Sequence, residues 1–106
     1  MNDYIKLNEV IQIAKLIKTV RSAAYKYHVK QYHINCFYIA YIASNSDIHA
    51  YIKGYQFSLS VAPLSKCKVL DQMLKLKLIE RVQRNLYVFT PLSIEIIKYI
   101  DSELAK

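Results

Sequence analysis

Between Leu64 and Tyr99 the hydrophobic period changes twice, and that order of periods limits the folds open to the chain. Cys67, Leu70, Leu74 and Leu78 recur three and four apart, which puts them on one face of a helix. A second stripe, Ser65, Lys68, Gln72 and Lys75, carries hydrogen-bond donors and positive charge on another face. Two short runs follow, Leu78–Arg81 and Leu86–Phe89, with turn residues near Gln83-Arg84-Asn85, and they predict a hairpin. Thr90 then suits a helix cap, with Pro91 at the first helical position and Glu95 in the first two turns. Leu92, Ile96, Ile97, Tyr99, Ile100 and Leu104 form the apolar stripe of that last helix. A helix anchored on one side and basic on the other suits the major groove of DNA, which admits a helix between walls of phosphate.

The rest of the chain reads as helical and as one domain of 106 residues. Gly54 is its single glycine, and two prolines complete the stock of strong turn formers, too few for a β-sandwich. Residues 4 to about 28 predict one helix of roughly 36 Å. Leu7, Val10, Ala14, Ile17, Ala24 and Tyr27 mark its face, broadened by Ile11, Ile13, Leu16 and Val20. That stripe is wider than one neighbour covers, so part of it is expected to meet a second subunit, although a helix that simply wraps the domain would read alike. Asn35 to Ala43 predicts a short buried helix. Ser44-Asn45-Ser46-Asp47 supplies turn and cap residues, and a helix over about 46–53 is expected to end at Gly54 in a left-handed conformation. Residues 55 to 61 alternate apolar and polar. They are expected to be an extended connector, or a strand, whose Tyr55, Phe57, Leu59 and Val61 dip into the core. The recognition helix would open at Ser60 or Ala62, tolerate Pro63 in its first turn and run to about 77.

The net charge of +7 favours an anionic partner, nucleic acid or an acidic membrane surface. Its distribution favours the former: residues 61–84 hold Lys66, Lys68, Lys75, Lys77, Arg81 and Arg84 against Asp71 and Glu80. Phosphate-cradling, dinucleotide-binding and nucleophile-elbow motifs are absent, and no enzyme or cofactor is expected. His28, His33, Cys36 and His49 match no standard zinc spacing, so core or surface roles are expected for each. Tyr25, Tyr27 and Tyr32 beside Lys26, His28 and Lys30 could stack on single-stranded bases, but the plainer expectation is that they finish a helix–helix interface. Cys36 and Cys67 are expected as reduced core thiols. The first 15 residues carry Asp3, Lys6, Glu9 and Lys15, unlike a signal peptide, and no apolar run spans a bilayer. A cytoplasmic protein with no membrane partner is the expectation.

The run Leu74-Lys75-Leu76-Lys77-Leu78-Ile79-Glu80-Arg81-Val82, followed by Phe89-Thr90-Pro91-Leu92-Ser93, resembles the recognition-helix end, wing and following helix of winged helix-turn-helix repressors, above all the MarR-like group. The likeness covers residues 64 to 99, and the first 60 residues only in pattern. Lys77 and Ser93 stand where that group usually has glycine, which leaves the end of the helix at Lys77 open. The resemblance implies a mainly α winged helix-turn-helix fold: a three-helix core with a β-hairpin wing over 34–90, flanked by dimerisation helices at 1–30 and 91–106. It also implies a homodimeric transcriptional regulator that binds double-stranded DNA through a recognition helix at about 62–77 and a wing at about 79–89. Ser65, Lys66, Lys68, Val69 and Gln72 would face bases and phosphates, Lys75 and Arg84 would hold backbone, and Asn85 at the wing turn completes the DNA-binding set. Winged helices also serve as protein-binding adaptors, the alternative that ten tyrosines keep open.

Overall fold

The computed structural model describes the backbone of residues 2–60 and 66–106 and the side chains of residues 9–57 and 68–106. Along the chain run α1 (Asn2–Tyr27), α2 (Gln31–Ala43), β1 (Ile52–Lys53), a 3-10 helix (Gly54–Ser60), α3 (Lys66–Lys75), β2 (Ile79–Gln83), β3 (Leu86–Phe89) and α4 (Pro91–Leu104). The fold is mainly helical, with an antiparallel sheet in the order β1-β3-β2.

α2 is the centre of the core. It is apolar nearly all round, and such a helix must be buried on several sides. Ile34, Cys36, Phe37 and Ala40 have no exposure. Burial of a side chain the size of Phe37 or Ile34 stabilises the fold by about 1.5–3 kcal/mol each. α4 packs across α1 and α2. Its Ile96, Ile97 and Ile100 are fully buried, and Asp101 accepts hydrogen bonds from the hydroxyls of Tyr38 (2.6 Å) and Tyr41 (2.7 Å) on α2. Tyr27 of α1 meets Tyr99 of α4 edge to face at 5.8 Å. Lys15 of α1 donates to the carbonyls of Leu104 and Lys106, placing a cation at the negative end of α4.

Helix ends follow local chemistry. Thr90 caps α4 as expected. Its hydroxyl accepts from the Ser93 amide, and the Ser93 hydroxyl accepts from the Thr90 amide at 2.9 Å. The end of α3 closes at Lys77, which takes a left-handed φ of 59°. The Leu78 amide donates to Met73 O and the Lys77 amide to Leu74 O, the paired bonds of a Schellman turn, with Leu78 and Met73 both buried beside it. His28 and Asn45 end α1 and α2 in the same conformation. Glycine supplies none of these left-handed positions among the described residues.

Three expectations about residues 46–61 are corrected. No helix forms over 46–53. Asn45 and Ser46 both have positive φ, Asp47 accepts the His49 amide at 2.9 Å, and Ile52 pairs with Tyr87 of β3 instead. Short polar side chains that bond nearby backbone compete with helix, and here the buried Ile52 gains a sheet partner as well. Gly54 has no left-handed φ. Its role is close approach: a side-chain carbon built there would lie 2.6 Å from Asn85 Oδ1. Residues 54–60 form a 3-10 helix packed on α2, neither connector nor strand, with Phe57 inside and Tyr55 exposed. Gln56 Oε1 accepts the Lys53 amide at its start. The expected opening of the recognition helix at Ser60 to Pro63 lies mostly outside the described residues; α3 is helical from Lys66.

α1 matches its expected span, but its faces are unequally used. Thr19, Val20 and Ala23 are buried against the domain, whereas Val10, Ile11, Ile13 and Ile17 are each more than half exposed.

Candidate nucleic-acid interface

α3 has two faces. Val69, Leu70 and Met73 point into the core. Lys68 and Lys75 are exposed on the opposite side, with Gln72 half-buried between them. At i, i+4 and i+7 these three share one face. The inner stripe is rotated from the expected Cys67–Leu70–Leu74–Leu78 line: Met73 is its deepest helical member, Leu74 is half-buried, and the Cys67 side chain is outside the described residues. Val69 is therefore corrected. At 6 % exposure it packs the core and cannot reach a base edge. Ser65, and the Lys66 side chain, lie outside the described residues. Asp71 is exposed on the flank of the same face.

Gln72 is held from behind. Its Oε1 accepts the Tyr32 hydroxyl at 2.6 Å and lies 2.9 Å from His33 Nε2. Both partners stand in the first turn of α2, so the start of α2 sits flush with the outer edge of α3. His33 is buried, and its Nδ1 has no hydrogen-bond partner. Periodicity carries no signal of this contact, because it joins helices 39 or 40 residues apart.

The hairpin continues the surface. β2 is longer than expected, reaching Gln83, because Val82 is accommodated as a bulge between the Arg81–Tyr87 and Gln83–Leu86 pairs. Arg84 and Asn85 form the exposed tip. Asn85 is exposed at the tip, with one end of its side chain already engaged. It occupies a left-handed position, and its Oδ1 accepts the Gly54 amide at 3.1 Å, tying the tip to β1. The one ion pair among the described residues joins Lys106 to Glu103. Lys68, Lys75, Lys77, Arg81 and Arg84 thus have no carboxylate partner there, and their charge faces solvent.

The aromatic-basic cluster does not assemble as one platform. Tyr27 completes the α1–α4 contact, with Lys26 Nζ 4.9 Å from the Tyr99 ring centre. Tyr32 is engaged with Gln72, and Tyr25 stands alone at 87 % exposure. Among the described residues no three His, Cys, Asp or Glu side chains converge to hold a metal ion. A cleft of about 710 Å³, unforeseen in the sequence, opens between the end of α3, β2 and the start of α4, with Leu74, Ile79 and Leu92 as walls and Lys77 and Arg81 at its rim. No described helix is long and apolar enough to cross a membrane. No family model, curated protein or solved structure matches the chain.

Proposed function

We propose that this chain is a winged helix-turn-helix protein that binds double-stranded DNA as a homodimer and regulates transcription. The observation that carries the reading is the division of α3: Val69, Leu70 and Met73 anchor one side while Lys68, Gln72 and Lys75 line the other. At 10 residues α3 is about 15 Å long, and the major groove of about 12 Å admits a helix. Arg84 at the hairpin tip extends the positive line toward the adjoining backbone or minor groove. The order helix, short strand, 3-10 helix, helix, hairpin supports the winged-helix reading, with residues 54–60 in place of the first helix of the motif. Lys68, Lys75 and Arg84 take phosphates, Gln72 takes base edges, and Ser65 belongs to the same stripe by spacing, whereas Lys66 does not. Val69 leaves the set.

The exposed Val10, Ile13 and Ile17 on α1 are spaced three and four apart and support pairing of two α1 helices about a two-fold axis. Two recognition helices would then enter successive major grooves, about one helical turn apart.

The test is equilibrium binding to a duplex library across salt. Three phosphate contacts per protomer give a slope of log affinity on log salt of about −5, or a loss of about a thousandfold from about 50 to about 200 mM. Affinity unchanged over that range would end the reading. The competing reading, a protein-binding adaptor, draws on the exposed Tyr25, Tyr51 and Tyr55. It expects no duplex binding and a partner whose capture survives nuclease.

A further inference from the structure

We infer that Tyr32 and His33 of α2 turn Gln72 into a donor-only reader, so that the base it contacts is guanine rather than adenine. The inference rests on the DNA-binding reading above and adds to it which base edge the site accepts.

The argument begins at His33. Its Nδ1 is enclosed and unpartnered, while Nε2 lies 2.9 Å from Gln72 Oε1. A neutral imidazole carries one proton, on one nitrogen or the other. A proton on Nδ1 would leave a buried N–H without an acceptor, whereas an unmet lone pair there is the smaller loss. The proton therefore sits on Nε2, and His33 donates to Gln72. A donor on that side fixes the amide the same way round, with oxygen rather than nitrogen toward α2. The Tyr32 hydroxyl donates to the same oxygen at 2.6 Å. An amide oxygen has two lone pairs, and both are used.

What remains is the amide nitrogen. It makes no hydrogen bond with the described residues and is not enclosed, so it opens to solvent between Lys68 and Lys75. Glutamine reads adenine by donating to N7 and accepting from the N6 amino group, and the second half needs a free amide oxygen. Guanine offers two acceptors on its major-groove edge, N7 and O6, which match the two hydrogens left on Gln72. Thymine offers one acceptor, and cytosine presents a donor that Gln72 cannot accept. The residues that set the preference are thus on a different helix from the one that touches the base.

The experiment selects duplexes with the full-length wild-type protein, finds the position whose preference vanishes in Gln72→Ala, and measures affinity for all bases there, including 7-deazaguanine. Wild type should prefer guanine over adenine by about tenfold or more, and 7-deazaguanine should lose several-fold. Tyr32→Phe frees one lone pair, so the guanine-to-adenine ratio should fall several-fold while the salt slope stays unchanged. Gln72→Glu keeps an oxygen for Tyr32 and His33 but removes both donors, so preference should move to cytosine, whose amino group a carboxylate accepts. Ratios within one variant cancel any loss of overall affinity. Salt-dependent duplex binding with adenine at that position, or ratios that neither variant changes, would overturn the role of Gln72 and leave the DNA reading intact. No duplex binding, or binding that ignores salt, would overturn both.

Discussion

Replacing Lys77 by glycine should stabilise the protein, although it deletes a side chain and a charge. Lys77 holds φ at 59°, where an ordinary side chain crowds the following carbonyl. That conformation costs a non-glycine residue about 1–2 kcal/mol. Glycine adopts it freely but loses about 0.5–1 kcal/mol more backbone entropy on folding. The net gain is therefore about 0.5–1 kcal/mol, or a rise in melting temperature of about 2–8 °C for a domain this size. The lysine side chain offsets little of this, since it is exposed and has no carboxylate partner among the described residues. The backbone contacts survive in the variant: the amide still donates to Leu74 O, and the carbonyl still accepts the Thr90 hydroxyl at 2.6 Å. Urea titrations of wild type, Lys77→Gly and Lys77→Ala separate the causes. Alanine removes the same charge but keeps the crowding carbon, so its midpoint should stay near wild type. A glycine variant no more stable than the alanine variant would refute the left-handed turn at the end of α3.

Asp101→Ala leaves two buried tyrosine hydroxyls without their acceptor and should cost about 2–4 kcal/mol, read from the urea midpoint at unchanged slope. Burial, then hydrogen bonding to Asp101, raises the Tyr38 and Tyr41 hydroxyls above their ordinary value of 10.0. Their contribution is therefore complete below pH 10.0 and is lost as pH climbs beyond it, because the unfolded chain releases protons that the folded one keeps. Tyr38→Phe should flatten that alkaline loss in melts run across the range, and an unchanged slope would count against the buried hydroxyl. Ile13→Glu with Ile17→Glu puts charge on the exposed face of α1 while sparing Val20 and Ala23. Light scattering should report a monomer of native helicity, with duplex affinity reduced as the second half-site is lost.

Elements governed by local rules were legible in the sequence. α2 shows as an apolar run, α4 as a stripe behind Thr90 and Pro91, and the hairpin as two runs around Asn85. The segment from Asn45 to Ser60 was not, because its conformation answers to distant partners: Ile52 to Tyr87, Gly54 to Asn85, Phe57 to the core. Its alternation of apolar and polar residues suits a strand, yet the 3-10 helix buries Phe57 and exposes Tyr55 just as well. The basic stripe of α3 was readable at Lys68 and Lys75 from spacing alone. Val69 was misassigned because the inner line falls about one position away from the one that Cys67 and Leu74 suggested. The engagement of Gln72 depends on how α2 is set against α3, which no local period encodes.

The hairpin's outer margin has a consequence for how copies of this chain meet. Among the described residues no strand pairs with the far side of β2, and an open margin of that kind invites a strand from another molecule. Here it carries Glu80, Arg81 and Arg84, and the extra residue at Val82 breaks its regular spacing of amides and carbonyls. At the opposite margin β1 is just two residues long. Both sides are thus poor templates for runaway strand addition, so a dimer formed through α1, as proposed, would not be extended into fibres along the sheet.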